Sequence, residues 1–265
     1  MAKRAQLPIA LTIAGSDSGG GAGIQADLKT FAALGLHGTS ALTCITAQNP
    51  RGVRGLQAIR PALVTAQIEA VFAALPPAAV KTGMLYSAAI IRAVAAFFSG
   101  RNRPPLVVDP VMVATSGAPL LKANAVQALT RELLPRAVLT TPNLDETAIL
   151  VGTKPATVEA MRAAAREVVR RYGCAALIKG GHLRGGQTAV DIFNDGEQEL
   201  LLEAPVVRGI GTHGTGCTYS AAIAGELARG RTLPDAVVAA KQFVTQAIAQ
   251  SQRAARHDVL NSFWR

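Results

Sequence analysis

The stretch Gly209-Ile-Gly-Thr-His-Gly-Thr-Gly-Cys-Thr-Tyr219 places four glycines, three threonines and one thiol in eleven residues. It runs into Ala221-Ala-Ile-Ala-Gly-Glu-Leu-Ala228, an apolar, Ala-rich pattern that predicts a buried helix. Gly214, Thr215, Gly216 and Cys217 then sit at a helix N-terminus. Unpaired peptide N–H groups and the positive end of the helix dipole converge there and suit an anion. Glycines let the backbone approach a phosphate closely, and Thr212, Thr215 and Thr218 add hydroxyl donors. Cys217 brings a thiol to the helix N-terminus, where its pKa is expected to be lowered. The plainer alternative is a glycine-rich turn into a core helix with a buried cysteine.

Other polar residues follow short apolar runs. Asp17, Gln48, Lys81, Asp109, Asn143, Glu146, Lys179 and His182 all stand at or just beyond predicted strand ends. An anion pocket, two acids and lysines at strand ends suggest phosphoryl transfer. That chemistry needs positioning, Mg²⁺ across the phosphates and donors for spread negative charge. Asp109 and Glu146 suit a hydrated Mg²⁺, although each acid alone could equally cap a helix or close a loop salt bridge. No G-x-x-x-x-G-K-[ST] motif is present, and Gly19, Gly21 and Gly23 do not form G-x-G-x-x-G, so neither a P-loop nor a dinucleotide fingerprint is supported. His182 and His213 border glycines in loops and are candidates for orienting a phosphate.

The elements that must position these residues can be read in order. Ile9–Ala14 is a buried strand, followed by a glycine turn and a helix from Ile24 to Leu34. A second strand, Gly38–Ala47, leads into a polar loop, Gln48–Gly55. Pro61 opens a helix, and Ser87 caps another that runs to about Phe98. Strands at Ala79–Thr82, Leu106–Asp109, Ala137–Thr140 and Ala175–Lys179 alternate with helices at Ala123–Leu133 and Val158–Arg171. The strand Ala137–Thr140 ends in Thr141–Glu146, and the next helix expected is the one from Val158. Asn194-Asp-Gly196 marks a hairpin, and two helices, Thr215–Arg229 and Pro234–Ser251, close the chain. Short apolar strands alternating with helices predict a mainly parallel sheet covered on both faces, with a small antiparallel edge. No linker or repeat divides residues 1–265, so one domain is expected.

Composition bounds the partners. The 265 residues are 49% hydrophobic, ample for a large core. The three cysteines are widely spaced, which predicts neither a disulfide framework nor a zinc site. No apolar run is long enough for a membrane span and no signal peptide is evident, so a cytoplasmic protein is expected. The formal charge of +10 raises nucleic acid as a partner. Arg162, Arg166 and Arg170 are interspersed with Glu159 and Glu167, however, and aromatics are only 4%. An anionic small molecule fits better.

Specific blocks carry a resemblance. Gly20-Gly-Ala-Gly-Ile-Gln-Ala-Asp27, Thr46-Ala-Gln-Asn49, Lys81-Thr-Gly-Met-Leu85, Val108-Asp-Pro-Val-Met112, Thr141-Pro-Asn143, Lys179-Gly-Gly-His182 and Thr212-His-Gly-Thr-Gly-Cys-Thr218 occur in one order. The chain resembles, from about Ile9 to Ser251, the hydroxymethylpyrimidine/phosphomethylpyrimidine kinases of thiamine biosynthesis, in the ribokinase-like superfamily. The resemblance implies a ribokinase-like α/β fold, ATP and Mg²⁺, a homodimer, and two successive phosphorylations of 4-amino-5-hydroxymethyl-2-methylpyrimidine. It implies that Asp27 and Gln48 hydrogen-bond the pyrimidine, and that Gly15, Gly23, Met84 and Val111 wall it. Gly214, Thr215, Gly216 and Cys217 match the anion hole, with Cys217 where sugar kinases of the superfamily carry an aspartate base. Asn143, Lys179 and Thr212 match nucleotide contacts. A pyridoxal kinase, or a kinase of both rings, is the nearest alternative, because pyridoxal also presents a hydroxymethyl group on an aza-ring. A non-catalytic ligand-binding protein is a third.

Overall fold

The computed structural model describes residues 6–112, 121–181, 183, 187–208, 211 and 213–264. Its centre is a nine-stranded sheet in the order β3-β2-β1-β4-β5-β6-β7-β8-β9. These strands are β1 (Ile9–Asp17), β2 (His37–Asn49), β3 (Gly52–Ala58), β4 (Ala79–Thr82), β5 (Leu106–Val108), β6 (Leu139–Thr140), β7 (Ala175–Lys179), β8 (Thr188–Asn194) and β9 (Glu199–Pro205). The six strands from β2 to β7 in that order are parallel; β3, β8 and β9 are antiparallel to their neighbours.

The interior strands are apolar on both faces because both faces are covered. Alternate residues enter two cores, as the two-residue period of a strand requires. Leu11, Ile13, Val80, Leu106 and Val108 pack with Ile68, Ile91 and Leu133 on one face. Ala10, Ala79, Val107, Leu139 and Leu177 pack with Phe31, Ala222, Ile223 and Phe243 on the other. The first face is covered by α2 (Pro61–Ala74), α3 (Ala88–Phe97), α4 (Ala123–Ala128), α5 (Leu144–Val151) and α6 (Val158–Tyr172); the second by α1 (Gly23–Ala33), α7 (Thr215–Ala228) and α8 (Leu233–Ala249). Each fully buried Leu or Ile contributes about 1.5–3 kcal/mol through area removed from water. Ser87 accepts from the Ile90 N–H and Pro61 stands at the start of α2, as the sequence implies.

Four elements differ from expectation. The polar segment Gln48–Gly55 is not a loop: β2 continues to Asn49, and β3 returns antiparallel to it. All seven residues of β3 are exposed, so no apolar alternation signals the strand, and main-chain pairing alone holds it. A helix not expected before Val158, α5, begins at Leu144 within Thr141–Glu146; its eight residues are too short to show a helical period. The helix expected over Ala123–Leu133 is α-helical only to Ala128 and continues as a π-helical turn, Leu129–Leu133. A short hairpin, β10 (Gln252–Ala254) with β11 (His257–Val259), follows α8.

Strand order reverses beside β1: β2 lies on one side and β4 on the other. Open α/β sheets bind ligands beyond the C-terminal strand ends at such a switch point.

Candidate active site

A cavity of about 680 Å³ opens at that place, across the ends of β1, β2, β4, β5 and β7. Its size lies within the range of small-molecule sites. The N-terminus of α7 lines it. Gly214 caps that helix with φ 84°, and a Cβ there would stand 1.8 Å from the Gly21 carbonyl oxygen. The glycine turn after β1 and the glycine turn before α7 therefore interlock at a separation only glycine allows. Gly216 adjoins Lys179: a Cβ at Gly216 would lie 3.2 Å from its Nζ. First-turn N–H groups and an ammonium thus face one space, an arrangement for negative charge.

Gly15, Gly23, Gln48, Met84 and Val111 line the cavity, and a Cβ at Gly15 would stand 2.9 Å from Met84 Cε. Gln48 is placed by its main chain, which donates to Ser18 Oγ at 2.8 Å and accepts from it at 2.7 Å, and its Oε1 lies 3.3 Å from the Thr46 hydroxyl. The structure does not bring Asp27 here. Its carboxylate is fully buried beneath the cavity, where it pairs with Lys81 Nζ at 2.8 and 3.0 Å and accepts from Thr12 Oγ1 at 2.6 Å. Asp27 falls on the buried face of α1, and its charge is consumed inside the protein rather than offered to a ligand. Burial works against the Lys81 ammonium, but Asp27, reinforced by Cys217 and Asp109, holds it above its ordinary pKa. Lys81 itself lines the cavity floor.

Asn143, Glu146, Asp109 and Lys179 also line the cavity. Asn143 caps α5: its Oδ1 accepts from the N–H groups of Asp145 and Glu146 at 2.9 Å, and Glu146 Oε2 accepts from the Asn143 N–H at 2.9 Å. This is a capping box with Asn as its first member, and it leaves the Nδ2 donor as what Asn143 can offer the cavity. Lys179 binds Asp109 Oδ1 at 3.0 Å, and Asp109 also accepts from Thr141 and Ser220. Burial pushes Glu146 up to about 7, with Lys179 opposing and Asp109 adding to the rise. Thr212 lies outside the described residues, as does His182.

Cys217 lines the cavity at the head of α7, but its thiol is not the low-pKa group expected there. Burial pushes it up to about 11; Lys81 and the Gly23 N–H oppose this, while Asp27 and Asp109 add to it. Helix-dipole stabilisation is worth at most about 2 kcal/mol, and desolvation beside two carboxylates exceeds it. The group at neutral pH is a thiol.

Among the described residues no three acids, histidines or cysteines converge as a metal cage. The donor set nevertheless fits Mg²⁺, which takes one or two carboxylates and completes its shell with phosphates and water. Asp109 and Glu146 are the carboxylates positioned for that.

A family model for phosphomethylpyrimidine kinase matches residues 17–260. The chain belongs to the phosphomethylpyrimidine kinase family, and it is a phosphotransferase. A hydroxymethylpyrimidine/phosphomethylpyrimidine kinase of Rhizobium meliloti is 52% identical over 248 residues, 92% of each chain. The solved phosphomethylpyrimidine kinase of Clostridium difficile superposes with a TM-score of 0.81 at 42% identity, over 91% of this chain and 99% of that one. An ADP complex of Bacillus subtilis pyridoxal kinase superposes at 0.88 with 37% identity, over 97% and 98%. The fold is thus the mainly parallel, helix-flanked architecture of this kinase family. Among the described residues no helix is long and apolar enough to cross a membrane.

Sequence reasoning missed a second buried pair in the family site. Lys241 of α8 binds Asp191 of β8 at 2.7 Å, and both line the cavity beside Tyr219. Asp191 also accepts from the Gly180 N–H at 2.9 Å. The available signal was a single charge inside each of two apolar runs, Ala189–Phe193 and Val237–Val244.

Proposed function

We propose that this chain phosphorylates 4-amino-5-hydroxymethyl-2-methylpyrimidine with ATP and then phosphorylates the resulting monophosphate, for thiamine biosynthesis. The observation that carries the reading is one cavity in which the head of α7 meets both groups of residues: His213 lies against Asp17 and Gln48, and Gly216 adjoins Lys179. Residues 1–265 act as one kinase domain, in the cytoplasm.

The chain's own groups supply positioning and electrostatics. Gln48 offers an amide to a ring nitrogen or amino group, while Gly15, Gly23, Met84 and Val111 hold the ring's apolar edges. Lys179, oriented by Asp109, and the N–H groups at Gly216 and Cys217 stabilise the transferring phosphoryl group, whose transition state is loose and negatively charged. Asn143 Nδ2, Lys241 and, by the resemblance, Thr212 serve the nucleotide. The Cys217 Sγ stands where the hydroxymethyl oxygen would approach; as a thiol it orients that oxygen by hydrogen bonding, and strong base assistance is not required in a loose transition state. Mg²⁺, when bound with ATP at Asp109 and Glu146, neutralises phosphate charge.

A homodimer is part of this reading. Ile45, Val53 and Leu56 expose apolar side chains on the β2–β3 hairpin, and Val53 and Leu56 also line the cavity mouth. Pyridoxal is the second substrate to consider, favoured by the likeness to the Bacillus subtilis pyridoxal kinase. ATP consumption with hydroxymethylpyrimidine, its monophosphate and pyridoxal, measured side by side, tests the proposal. Equal kcat/KM for pyridoxal and hydroxymethylpyrimidine would replace it with a dual-substrate kinase.

A further inference from the structure

The two proposed steps differ in what their acceptor requires. In the first, a neutral alcohol must lose a proton. In the second, an oxygen of the acceptor's own phosphate dianion forms the new P–O bond. The bond between the γ-phosphorus and its bridging oxygen breaks, and ADP leaves with the electron pair. No proton need move, but an acceptor carrying two negative charges must sit beside the incoming γ-phosphate. The second step needs a cation on the acceptor side of the anion hole.

The lysines that line the cavity are already paired. Lys81 binds Asp27, Lys154 binds Asp145, Lys179 binds Asp109 and Lys241 binds Asp191. His213 stands differently. It immediately precedes Gly214, lines the cavity, and is 38% exposed, against 4% for its partner Asp17. Its Nε2 lies 3.3 Å from Asp17 Oδ2 and 3.5 Å from Gln48 Nε2, so the ring sits beside the residue proposed to read the acceptor ring.

The seat is built. Asp17 is fixed by three main-chain donors, Gly19, Gly21 and Ala22, at 2.8, 3.1 and 2.9 Å. A Cβ at Gly21 would meet His213 Cδ2 at 2.8 Å, so the glycine makes room for the ring. One nitrogen cannot both donate to Asp17 and accept from Gln48. A carboxylate accepts only, so Asp17 requires a proton on Nε2, and the Gln48 amide hydrogens are left to the ligand. Nδ1 is then the ring nitrogen left for a ligand, with Asp17 holding Nε2.

We propose that His213, seated on Asp17, binds the phosphate of the phosphorylated acceptor in the second phosphorylation and so determines specificity for that step. This rests on the two-step reading above. The test is kcat/KM for hydroxymethylpyrimidine and for its monophosphate in wild type, His213→Asn and His213→Lys, with the Kd of the monophosphate measured by calorimetry without ATP. Loss of a charge-assisted hydrogen bond should lower the ratio of monophosphate to alcohol kcat/KM by roughly tenfold to a hundredfold in His213→Asn, weaken monophosphate binding in parallel, and be largely restored in His213→Lys. Equal loss on both substrates, or an unchanged ratio, overturns the inference and leaves His213 as a shaper of the loop. Wild-type turnover of neither substrate would sink the proposed function instead; the monophosphate Kd values of wild type and variants then decide the inference separately.

Discussion

Glu146 carries a pH-dependent cost that one substitution should remove. Its carboxylate is 3% exposed, and burial raises it from an ordinary 4.5 to about 7. A carboxylate with a raised folded-state pKa destabilises the fold. The penalty is absent below the unfolded pKa, grows as pH rises from about 4.5 to about 7, and is complete above that. At about 1.36 kcal/mol per pH unit across that window, it reaches roughly 3 kcal/mol at pH 8. Glu146→Gln keeps an oxygen to accept from the Asn143 N–H, because Gln also serves at that capping position. The variant should therefore match wild type near pH 4.5 and exceed it progressively above pH 5. At about 2–4 °C per kcal/mol for a chain of this size, Tm should rise by roughly 6–12 °C at pH 8. Calorimetric scans from pH 4.5 to 8 with EDTA present measure this. Added Mg²⁺ should narrow the gap by stabilising the wild-type carboxylate, and half-activating Mg²⁺ should rise in the variant. A Tm difference that does not change with pH would refute the burial argument; Mg²⁺ titrations of activity that overlay wild type would refute the metal assignment.

Three further outcomes are expected. Iodoacetamide should alkylate Cys217 slowly at pH 7 and about tenfold faster per pH unit up to pH 10, because the thiolate is the reactive form and burial holds the thiol near 11; a rate already at its plateau at pH 7 would restore the low-pKa thiolate. Asp27→Asn should cost about 3–5 kcal/mol in urea unfolding by leaving Lys81 buried without its counter-ion, and Asp27→Asn with Lys81→Met should recover most of it; a stable Asp27→Asn with altered substrate preference would return Asp27 to the ligand site. Gln48→Leu should reduce the preference for hydroxymethylpyrimidine over pyridoxal by at least about tenfold, since an unmade hydrogen bond to substrate lowers discrimination; an unchanged ratio of kcat/KM would remove Gln48 from ring recognition.

The sequence alone carried the sheet and most of the site because both are encoded locally. Ile9–Ala14, Leu106–Val108 and Ala175–Ile178 are apolar runs of strand length, and each is followed by its functional group at a strand end. The glycines from 209 to 216 ahead of an apolar run announced the head of α7, and Gly214 does take the left-handed conformation there. What remained hidden depends on partners distant in the chain. β3 is exposed along its whole length, and only its pairing with β2 makes it a strand. Asp27 reads as a ligand contact until folding sets it 2.8 Å from a lysine 54 residues away. Cys217 has the helix N-terminus that lowers a thiol pKa, yet burial beside Asp27 and Asp109 raises it. Glycine conformation and hydrophobic period are properties of neighbouring residues, so sequence reveals them. Desolvation and charge pairing depend on which remote groups share a dry interior, and only the tertiary structure decides that.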